Sequence, residues 1–342
     1  MKVDISLAMA GPEGAAERAA ELIATGADGL FSFENAHDVF FPLVLATAST
    51  AGRVGLMTNV AMAFPRSPLH MAYSANDLQL LNKGDFRLGL GSQIRPHIQK
   101  RYGATWDKPV AQMRETIEAL NMIFAHFAGE GPFEYRGTYT THTLMTPNFN
   151  PGPNPYGKPK VLVGALGPKM CEMTAEVADG ILVMPFNSER HFAERTVPAI
   201  NRGLATAGRD REGFEIVLEV ICAIGDTAAE QEAAARGVKS LLGFYGSTPS
   251  YKPVLDVEGW GDYQPRLNAL SKQGDWVGMG EMITDEMLHT IAVVGTPAEV
   301  GAEVVRRYGA FADRVCLYFP GYPITDEQIA ATTAAVKAAA GT

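Results

Sequence analysis

The sequence alternates short apolar segments with longer amphipathic segments along almost all of its 342 residues. The short segments are apolar without a strict period of two, which is typical of parallel strands covered on both faces. Since each of them is followed by a helical pattern or a loop that leads to one, the chain reads as a series of βα units. Eight units in one chain predict a closed (β/α)8 TIM barrel. The predicted strands are residues 3–8, 29–33, 54–60, 86–90, 161–164, 181–184, 214–224 and 314–319.

Two stretches interrupt this alternation. Residues 131–156 contain a hairpin-like segment at 133–139 and then a loop rich in Pro, Asn and Gly, and residues 245–290 are rich in Gly, Pro and aromatic side chains. We therefore expect one domain over residues 1–342 with insertions at about 131–156 and 245–290. The alternative is an open, doubly wound sheet, but no G-x-G-x-x-G pattern follows the first strand, which disfavours the dinucleotide-binding version.

Composition narrows the classes of partner. There are 29 Lys and Arg against 38 Asp and Glu, a formal charge of −9, and no basic run, so a nucleic-acid or anionic membrane partner is not expected.

The N-terminus does not resemble a signal peptide and no stretch of about 20 apolar residues occurs, so we expect a cytoplasmic protein. The cysteines Cys171, Cys222 and Cys316 are far apart, which predicts buried free thiols. The histidines lack the spacing of metal ligands, so no metal site is expected.

The candidate site follows from the fold, because catalytic groups of such barrels lie at the carboxyl ends of the strands. After the second strand, His37 is the best candidate for proton transfer, with Glu34 and Asp38 as groups that can orient it; the alternative is a loop histidine that only packs or caps. His97, after the fourth strand, is a weaker candidate. The glycine-containing turn 164–169 suits an anion at the start of a helix, or is an ordinary βα turn. No G-x-S-x-G occurs, whereas spacing alone leaves the paired carboxylates of a glycosidase open.

Five short motifs occur in order at the ends of these units. They are RVGLMTNV at 53–60 with FPRSP at 64–68, LNKGDFRLGLG at 81–91, GALGPK at 164–169, ADG at 178–180 and VGTPAEV at 294–300. Together they resemble the luciferase-like monooxygenase superfamily, in particular its oxidoreductases that depend on the deazaflavin coenzyme F420. The resemblance covers nearly the whole chain and implies a TIM barrel of the bacterial-luciferase-like type that binds a flavin-type ring at its mouth.

The resemblance also implies roles for particular residues. A non-prolyl cis peptide, here Asn59–Val60, bulges against the back of the ring; the site histidine is His37, with Glu34 as its partner; and the phosphate-binding turn is 166–169. Ser92 stands where some relatives that oxidise glucose 6-phosphate carry Glu, which disfavours a sugar-phosphate substrate. The residues predicted to contact the cofactor are Thr58, Asn59, Val60, Gly91, Ser92, Gln93, His97, Gly164, Ala165, Leu166, Gly167, Pro168 and Lys169.

The implied function is hydride transfer between coenzyme F420 and a small organic substrate. An FMN-dependent monooxygenase and a non-catalytic flavin- or deazaflavin-binding protein are the alternatives. Members of the family commonly dimerise through the helices after the second and third strands, here 42–51 and 68–81, so a homodimer is expected. In the second insertion, Trp260, Tyr263 and Trp276 either line the substrate pocket or pack the insertion onto the barrel.

Overall fold

A computed structural model describes residues 1–7 and 11–341 of the chain. Its strands, in chain order, are β1 Lys2–Ser6, β2 Gly29–Ser32, β3 Gly55–Thr58, β4 Ala61–Met62, β5 Phe86–Gly91, β6 Tyr135–Arg136, β7 Thr141–His142, β8 Lys160–Ala165, β9 Gly180–Val183, β10 Glu215–Ile224, β11 Val293–Gly295 and β12 Arg314–Tyr318. Among the described residues, eight parallel strands close on themselves in the order β1-β2-β3-β5-β8-β9-β10-β12. The predicted TIM barrel is confirmed, and the open sheet is excluded.

Each predicted strand matches a strand of the barrel, although Ala8, the last residue of the first prediction, lies outside the described residues. The two short strands β4 and β11 were not predicted. They extend the sheet at the carboxyl ends of β5 and β10, where pairs such as Ala61 with Leu90 and Val293 with Cys222 add a few ladder bonds. The predicted hairpin is present as β6 and β7, with its turn shifted a few residues along the chain.

Helices surround the barrel, and those expected at 42–51 and 68–81 are present at Phe40–Thr50 and Pro68–Leu81. In chain order they are α1 Ala15–Ala24, α2 Phe40–Thr50, α3 Pro68–Leu81, α4 Pro109–Phe127, α5 Pro168–Val177, α6 Glu189–His191, α7 Val197–Thr206, α8 Ala228–Gly246, α9 Lys252–Val257, α10 Tyr263–Gln273, α11 Trp276–Glu281, α12 Asp285–Ile291, α13 Pro297–Tyr308 and α14 Asp326–Ala340. The helical segment from Glu189 to Thr206 is interrupted by a π-helical turn at Phe192–Thr196, which separates α6 from α7. Pro198 lies in the first turn of α7, where its missing N–H removes a helical hydrogen bond.

The second insertion folds as the short helices α9 to α12 rather than as a loop. These helices and α8 enclose an apolar cluster of their own, which includes Phe186, Leu255, Leu267 and Met279. Trp260 and Tyr263 pack against that cluster, whereas Trp276 is 55% exposed. Of the two roles considered for these aromatic residues, packing of the insertion therefore applies to Trp260 and Tyr263.

The barrel interior is layered. At the amino ends of the strands, Arg314 binds both carboxylate oxygens of Asp4, and Arg87 Nε lies 3.0 Å from Glu215 Oε1. Burial raises the pKa of Glu215, but Arg87 and Lys160 outweigh burial and the net pKa is lowered. Above this ionic floor lies an apolar layer of Phe31, Met57, Leu162, Leu182, Val217 and Cys316. The floor and this layer fill the lower barrel, so an open site can lie only at the other end.

The predicted free thiols are confirmed, since all three cysteines are buried and unpaired. Burial raises the pKa of Cys171 and of Cys222 to about 12. Such thiols stay protonated at neutral pH and are unreactive. Within residues 1–7 and 11–341, no helix is long and apolar enough to cross a membrane.

Two neighbouring outer helices carry large exposed apolar side chains. On α2, Phe41 is 65% exposed, and Val44 and Leu45 lie on the same face one turn along. On α3, Leu80 and Leu81 are each almost half exposed. Large apolar side chains grouped on one exposed helix face mark an interaction surface more often than a solvated one. We propose that this face of α2, together with the neighbouring helix α3, forms a homodimer interface.

The dimer proposal is tested by charge. Phe41→Asp combined with Leu45→Asp places two carboxylates in the proposed interface, so we expect a dimer for the natural protein and a monomer for the variant, measured by sedimentation velocity. Trp276→Asp, at an equally exposed aromatic on α11, is the matched control and should remain a dimer. A natural protein that sediments as a monomer, or a double variant that stays dimeric, would refute the interface.

Candidate functional site

The carboxyl end of β3 bends over the apolar layer of the barrel. The Asn59–Val60 peptide bond is cis, as the resemblance implied. The Val60 side chain packs onto the apolar layer and reaches two glycines of neighbouring strands, Gly91 of β5 and Gly164 of β8. A Cβ at Gly91 would stand 2.5 Å from Val60 Cγ2, so only glycine leaves room there. The backbone of residues 59–60, with Gly91 and Gly164 beside it, forms a surface without bulky side chains against which a planar ring can rest.

Glu219 stands beside this surface and was not predicted. It lies on β10 four residues after Glu215, and side chains four apart on a strand share a face, so both point into the barrel. Asn59 Nδ2 donates to Glu219 Oε2 at 3.4 Å. Burial raises the pKa of Glu219 to about 8 against a small opposing effect of Asn59. The carboxyl group is therefore mostly protonated at pH 7, although the side chain is only half-buried.

Tyrosines form the wall next to Glu219. The hydroxyl of Tyr245, at the end of α8, hydrogen-bonds that of Tyr318, at the end of β12, and both lie near Glu219. Burial and Glu219 raise the pKa of Tyr318 to about 12. The Tyr245 ring also packs against Phe186 and Tyr251 at centroid distances of 6.0 Å. This wall comes from the second insertion and from β12, and it is aromatic with neutral hydroxyl groups.

Glu34 is held by three groups at the barrel mouth. Its Oε2 accepts from Arg66 Nη1 at 2.6 Å and from the Met62 amide at 2.9 Å, and its Oε1 accepts from the Tyr102 hydroxyl at 3.3 Å. Asp38 binds the other terminal nitrogen of Arg66 at 3.0 Å. Since Met62 follows the Asn59–Val60 segment closely, Glu34 holds that segment in place through its amide.

His37 is exposed and lines a small cleft at the barrel mouth. The cleft is also lined by Phe33, Asp38 and Pro42, with Gly11 and Pro12. Ser32, at the end of β2, closes the loop that carries His37 by donating to the Val39 carbonyl at 2.6 Å. The imidazole is therefore accessible from the mouth, as its predicted role requires.

The Thr58 hydroxyl is engaged in hydrogen bonds within the protein. Its side chain is fully buried, donates to the Gly89 carbonyl at 2.8 Å and accepts from the Gly89 amide at 2.9 Å. The hydroxyl therefore holds β3 against β5 and is not available to a cofactor. Asn59 and Val60, one and two residues further along, are the residues of this strand end that face the mouth.

The loop after β5 surrounds the mouth on another side. Ser92 is half-buried, and Gln93 is exposed with a left-handed φ of 49°, which is uncommon for a residue with a side chain. The Trp106 indole donates to the Gln93 carbonyl at 3.2 Å, and the Arg95 guanidinium lies 5.0 Å from the Trp106 ring. His97 begins a short π-helical turn and is exposed. The loop is held by its aromatic contact and presents polar side chains to solvent.

The predicted phosphate turn lies between β8 and α5. Ala165 ends β8, and the exposed residues Gly167, Pro168 and Lys169 begin the helix. Gly167 caps the helix without a side chain, and a Cβ there would meet nothing within 4 Å, so the first turn is open. The helix dipole and the Lys169 side chain at this open helix start fit an anion such as a phosphate. No group of metal-binding side chains occurs among the residues that the structure describes.

Related sequences match most of the chain. An uncharacterized protein of Mycobacterium tuberculosis is 45% identical over 305 residues, which cover 89% of each chain. The 5,10-methylenetetrahydromethanopterin reductase of Archaeoglobus fulgidus is 28% identical over 271 residues, which cover 78% of this chain and 76% of the reductase.

Solved structures show the same fold. The coenzyme F420-dependent tetrahydromethanopterin reductase of Methanopyrus kandleri superposes with a TM-score of 0.79 at 18% identity and covers 97% of this chain and 96% of its own. The oxygenating constituent of 3,6-diketocamphane monooxygenase from Pseudomonas putida, solved with FMN, has a TM-score of 0.62 at 15% identity, with coverage of 93% and 91%. The family model described as luciferase-like monooxygenase matches residues 5–314. The chain therefore belongs to the luciferase-like monooxygenase family.

Proposed function

We propose that the protein is a coenzyme F420-dependent oxidoreductase that transfers a hydride between the deazaflavin and a small organic substrate. One observation carries the proposal: the Glu219 carboxyl group lies beside the cis Asn59–Val60 surface at the barrel mouth, where its Oε2 is 3.4 Å from Asn59 Nδ2. This arrangement provides a resting surface for a ring and a proton donor next to it. The fold shared with the F420-dependent reductase of Methanopyrus kandleri supports the choice of coenzyme.

The residues present fit such a coenzyme in three places. Asn59 and Val60 support the back of the ring, the glycines at 91 and 164 leave space at its edges, and the turn at Gly167 and Lys169 holds the phosphate. When bound and reduced, the coenzyme supplies the hydride. The chain itself orients the substrate and provides the proton that accompanies the hydride.

Two side chains at the mouth can transfer that proton. Glu219 is protonated at neutral pH and accepts a bond from Asn59, so its own proton can be donated to a substrate oxygen or nitrogen. His37 reaches the mouth from the loop after β2. The carboxylates of Glu34 and Asp38 are both engaged in ion pairs with Arg66. Single substitutions at Glu219 and His37 decide between the two groups.

The aromatic wall indicates the kind of substrate. Tyr245, Tyr251 and Tyr318 offer apolar ring faces and neutral hydroxyl groups on the side of Glu219. A compact, uncharged organic molecule with one oxygen or nitrogen that can accept a proton matches this surface. The FMN-bound monooxygenase on the same fold makes an FMN-dependent reaction the second candidate.

Coenzyme binding tests the proposal first. We expect the purified protein to quench the fluorescence of coenzyme F420 at micromolar concentration. The reduced coenzyme in the complex should persist in air until a ketone or imine substrate from a panel is added, and the oxidised coenzyme should be reduced when an alcohol substrate is added. Binding of FMN with rapid oxygen consumption would instead support the monooxygenase. Tight binding with no substrate consumed would support a non-catalytic binding protein, and binding of neither ring would refute the proposal.

His37→Ala tests the histidine. If the imidazole transfers the proton, we expect coenzyme affinity to be unchanged and single-turnover hydride transfer to fall about 10²–10⁴-fold. His70→Ala, at an exposed histidine of α3, is the control and should react at the natural rate. Equal rates in the His37 variant and the natural protein would remove His37 from the mechanism.

Glu219→Gln tests the carboxylic acid. If Glu219 donates the proton, the rate in the natural protein should fall as the pH rises through about 8, and the variant should be slower with no such limb. A pH profile that is identical in the two proteins would contradict the role.

The free energy of unfolding provides a control for Glu219→Gln. The raised pKa of Glu219 means that the folded state loses stability as pH rises from the unfolded pKa to about 8, so the free energy of unfolding of Glu219→Gln should equal or exceed that of the natural protein at pH 8. Glu215 has a lowered pKa, which stabilises the fold above its unfolded pKa, so Glu215→Gln on the same strand should be less stable at pH 8. Urea unfolding measures both.

A further inference from the structure

Tyr318 and Glu219 lie on the inner wall of the barrel, one level above the apolar layer. Cys316 of β12 and Val217 of β10 belong to that layer. Tyr318 and Glu219 come two residues later on the same two strands, and side chains two apart on a strand share a face. The strands β10 and β12 are neighbours, with Glu219 opposite Cys316. The phenol and the carboxyl group are therefore diagonal neighbours at the mouth, and both side chains are partly open to it.

The turn after β12 is anchored to β10 and lies directly against α8. The Tyr322 hydroxyl donates to the Cys222 carbonyl at 2.8 Å and accepts from the Ile224 amide at 3.0 Å. A Cβ at Gly237 of α8 would overlap the Gly321 carbonyl, and Gly321 itself has a left-handed φ of 78°. Only glycine at both positions lets the helix and the turn approach so closely.

This contact directs Tyr245 toward Tyr318. Gly237 and Tyr245 are eight residues apart on α8, so the helix face that touches the turn also carries Tyr245. The Tyr245 ring packs against Phe186 and Tyr251, at a centroid distance of 6.0 Å from each. The ring is thus held on two sides, and its hydroxyl is hydrogen-bonded to that of Tyr318.

The hydrogen bond between the two tyrosines has a direction. It raises the pKa of Tyr245 and acts to lower the pKa of Tyr318 against the effect of burial, which identifies Tyr245 as the donor. A phenol has one proton to donate, so Tyr245 uses its proton on Tyr318. The Tyr318 proton is left for another acceptor, and a hydroxyl that accepts a hydrogen bond becomes a better donor.

We propose that the Tyr318 hydroxyl binds the substrate atom that is protonated in the reaction, and that Tyr245 is the residue that positions Tyr318. The proposal rests on the proposed function and narrows the substrate to a compact aldehyde, ketone or imine. Its oxygen or nitrogen would lie between Tyr318 and Glu219, above the surface at Asn59 and Val60.

The two groups act on one atom in the reduction. The carbonyl or imine carbon receives the hydride of the reduced coenzyme as a new C–H bond, and the electron pair of the π bond moves to the oxygen or nitrogen. Glu219 gives its proton to that atom and becomes a carboxylate, so the substrate is reduced and the coenzyme oxidised. The hydrogen bond from Tyr318 stabilises the negative charge that develops on the atom before the proton arrives.

Acetophenone with an isotope-labelled carbonyl is the probe, because its ring matches the tyrosine wall and its single oxygen can accept from Tyr318. Infrared difference spectra are recorded with the protein saturated with oxidised coenzyme F420, so that no hydride is transferred. A hydrogen bond lowers the stretching frequency of a carbonyl. We expect Tyr318→Phe to shift the band to higher frequency and to weaken acetophenone binding about three- to ten-fold, the usual range for one neutral hydrogen bond, with unchanged coenzyme affinity.

Tyr245→Phe tests the positioning role. The variant keeps the ring against Phe186 and Tyr251 and keeps the Tyr318 hydroxyl, but it removes the bond donated to that hydroxyl. Its band should lie between those of the natural protein and Tyr318→Phe. Tyr245→Phe should add no further shift to a protein that already carries Tyr318→Phe, because both act through one hydroxyl. A band unchanged in the single variant, or a further shift in the double variant, would overturn the role of Tyr245.

Tyr263→Phe is the matched control. It removes the hydroxyl of a half-buried tyrosine of α10 in the same insertion, and it should keep both the band and the acetophenone affinity. If the natural protein binds coenzyme F420 but not acetophenone, or if Tyr318→Phe leaves the band in place or loses the coenzyme, this proposal alone is overturned. Failure of the natural protein to bind coenzyme F420 would overturn the proposed function and this proposal together.

Discussion

The closed barrel depends on an ionic floor in which every charge has an opposite charge beside it. Arg314 is 2% exposed and pairs with Asp4 across adjacent strands, while Arg87 and Lys160 hold Glu215 from the other side. A buried charge that lost its partner would destabilise the fold by several kcal/mol, about 3–5 in comparable pairs. The Asp4–Arg314 pair joins the neighbouring strands β1 and β12, and Glu215 links β10 across the barrel to Arg87 of β5 and Lys160 of β8. The floor therefore closes this end of the barrel and leaves the opposite end for a site.

Much of the fold follows from the sequence, because the barrel strands are apolar runs separated by helices. The strands β4 and β11 escape prediction because two or three residues have no period to detect. The helices of the second insertion escape it because their Gly, Pro and aromatic residues favour loops locally, and only packing around residues such as Leu267 makes them helical. Tertiary contacts decide such segments, as they do wherever local propensity is weak.

The candidate site was predicted less completely, for physical reasons. The strand-end rule locates the segments around His37, Asn59 and Gly167, but it does not tell which side chains face the mouth. Thr58 and Asn59 are adjacent, but the Thr58 hydroxyl hydrogen-bonds Gly89, whereas the Asn59 amide reaches Glu219. Glu219 is detectable in the sequence as an acidic residue within the apolar run of β10, four positions after Glu215. The roles of His37 and of the cofactor-contacting residues remain predictions.

The two apolar clusters of the molecule divide the mouth into halves with separate support. The strand ends that offer the ring surface rest on the barrel core, whereas Tyr245 and Tyr251 rest on the cluster enclosed by α8 to α12. A substitution in the second cluster can reshape the tyrosine wall while the barrel beneath stays intact. Homologous chains can therefore diverge in the molecules they accept while they retain one common coenzyme.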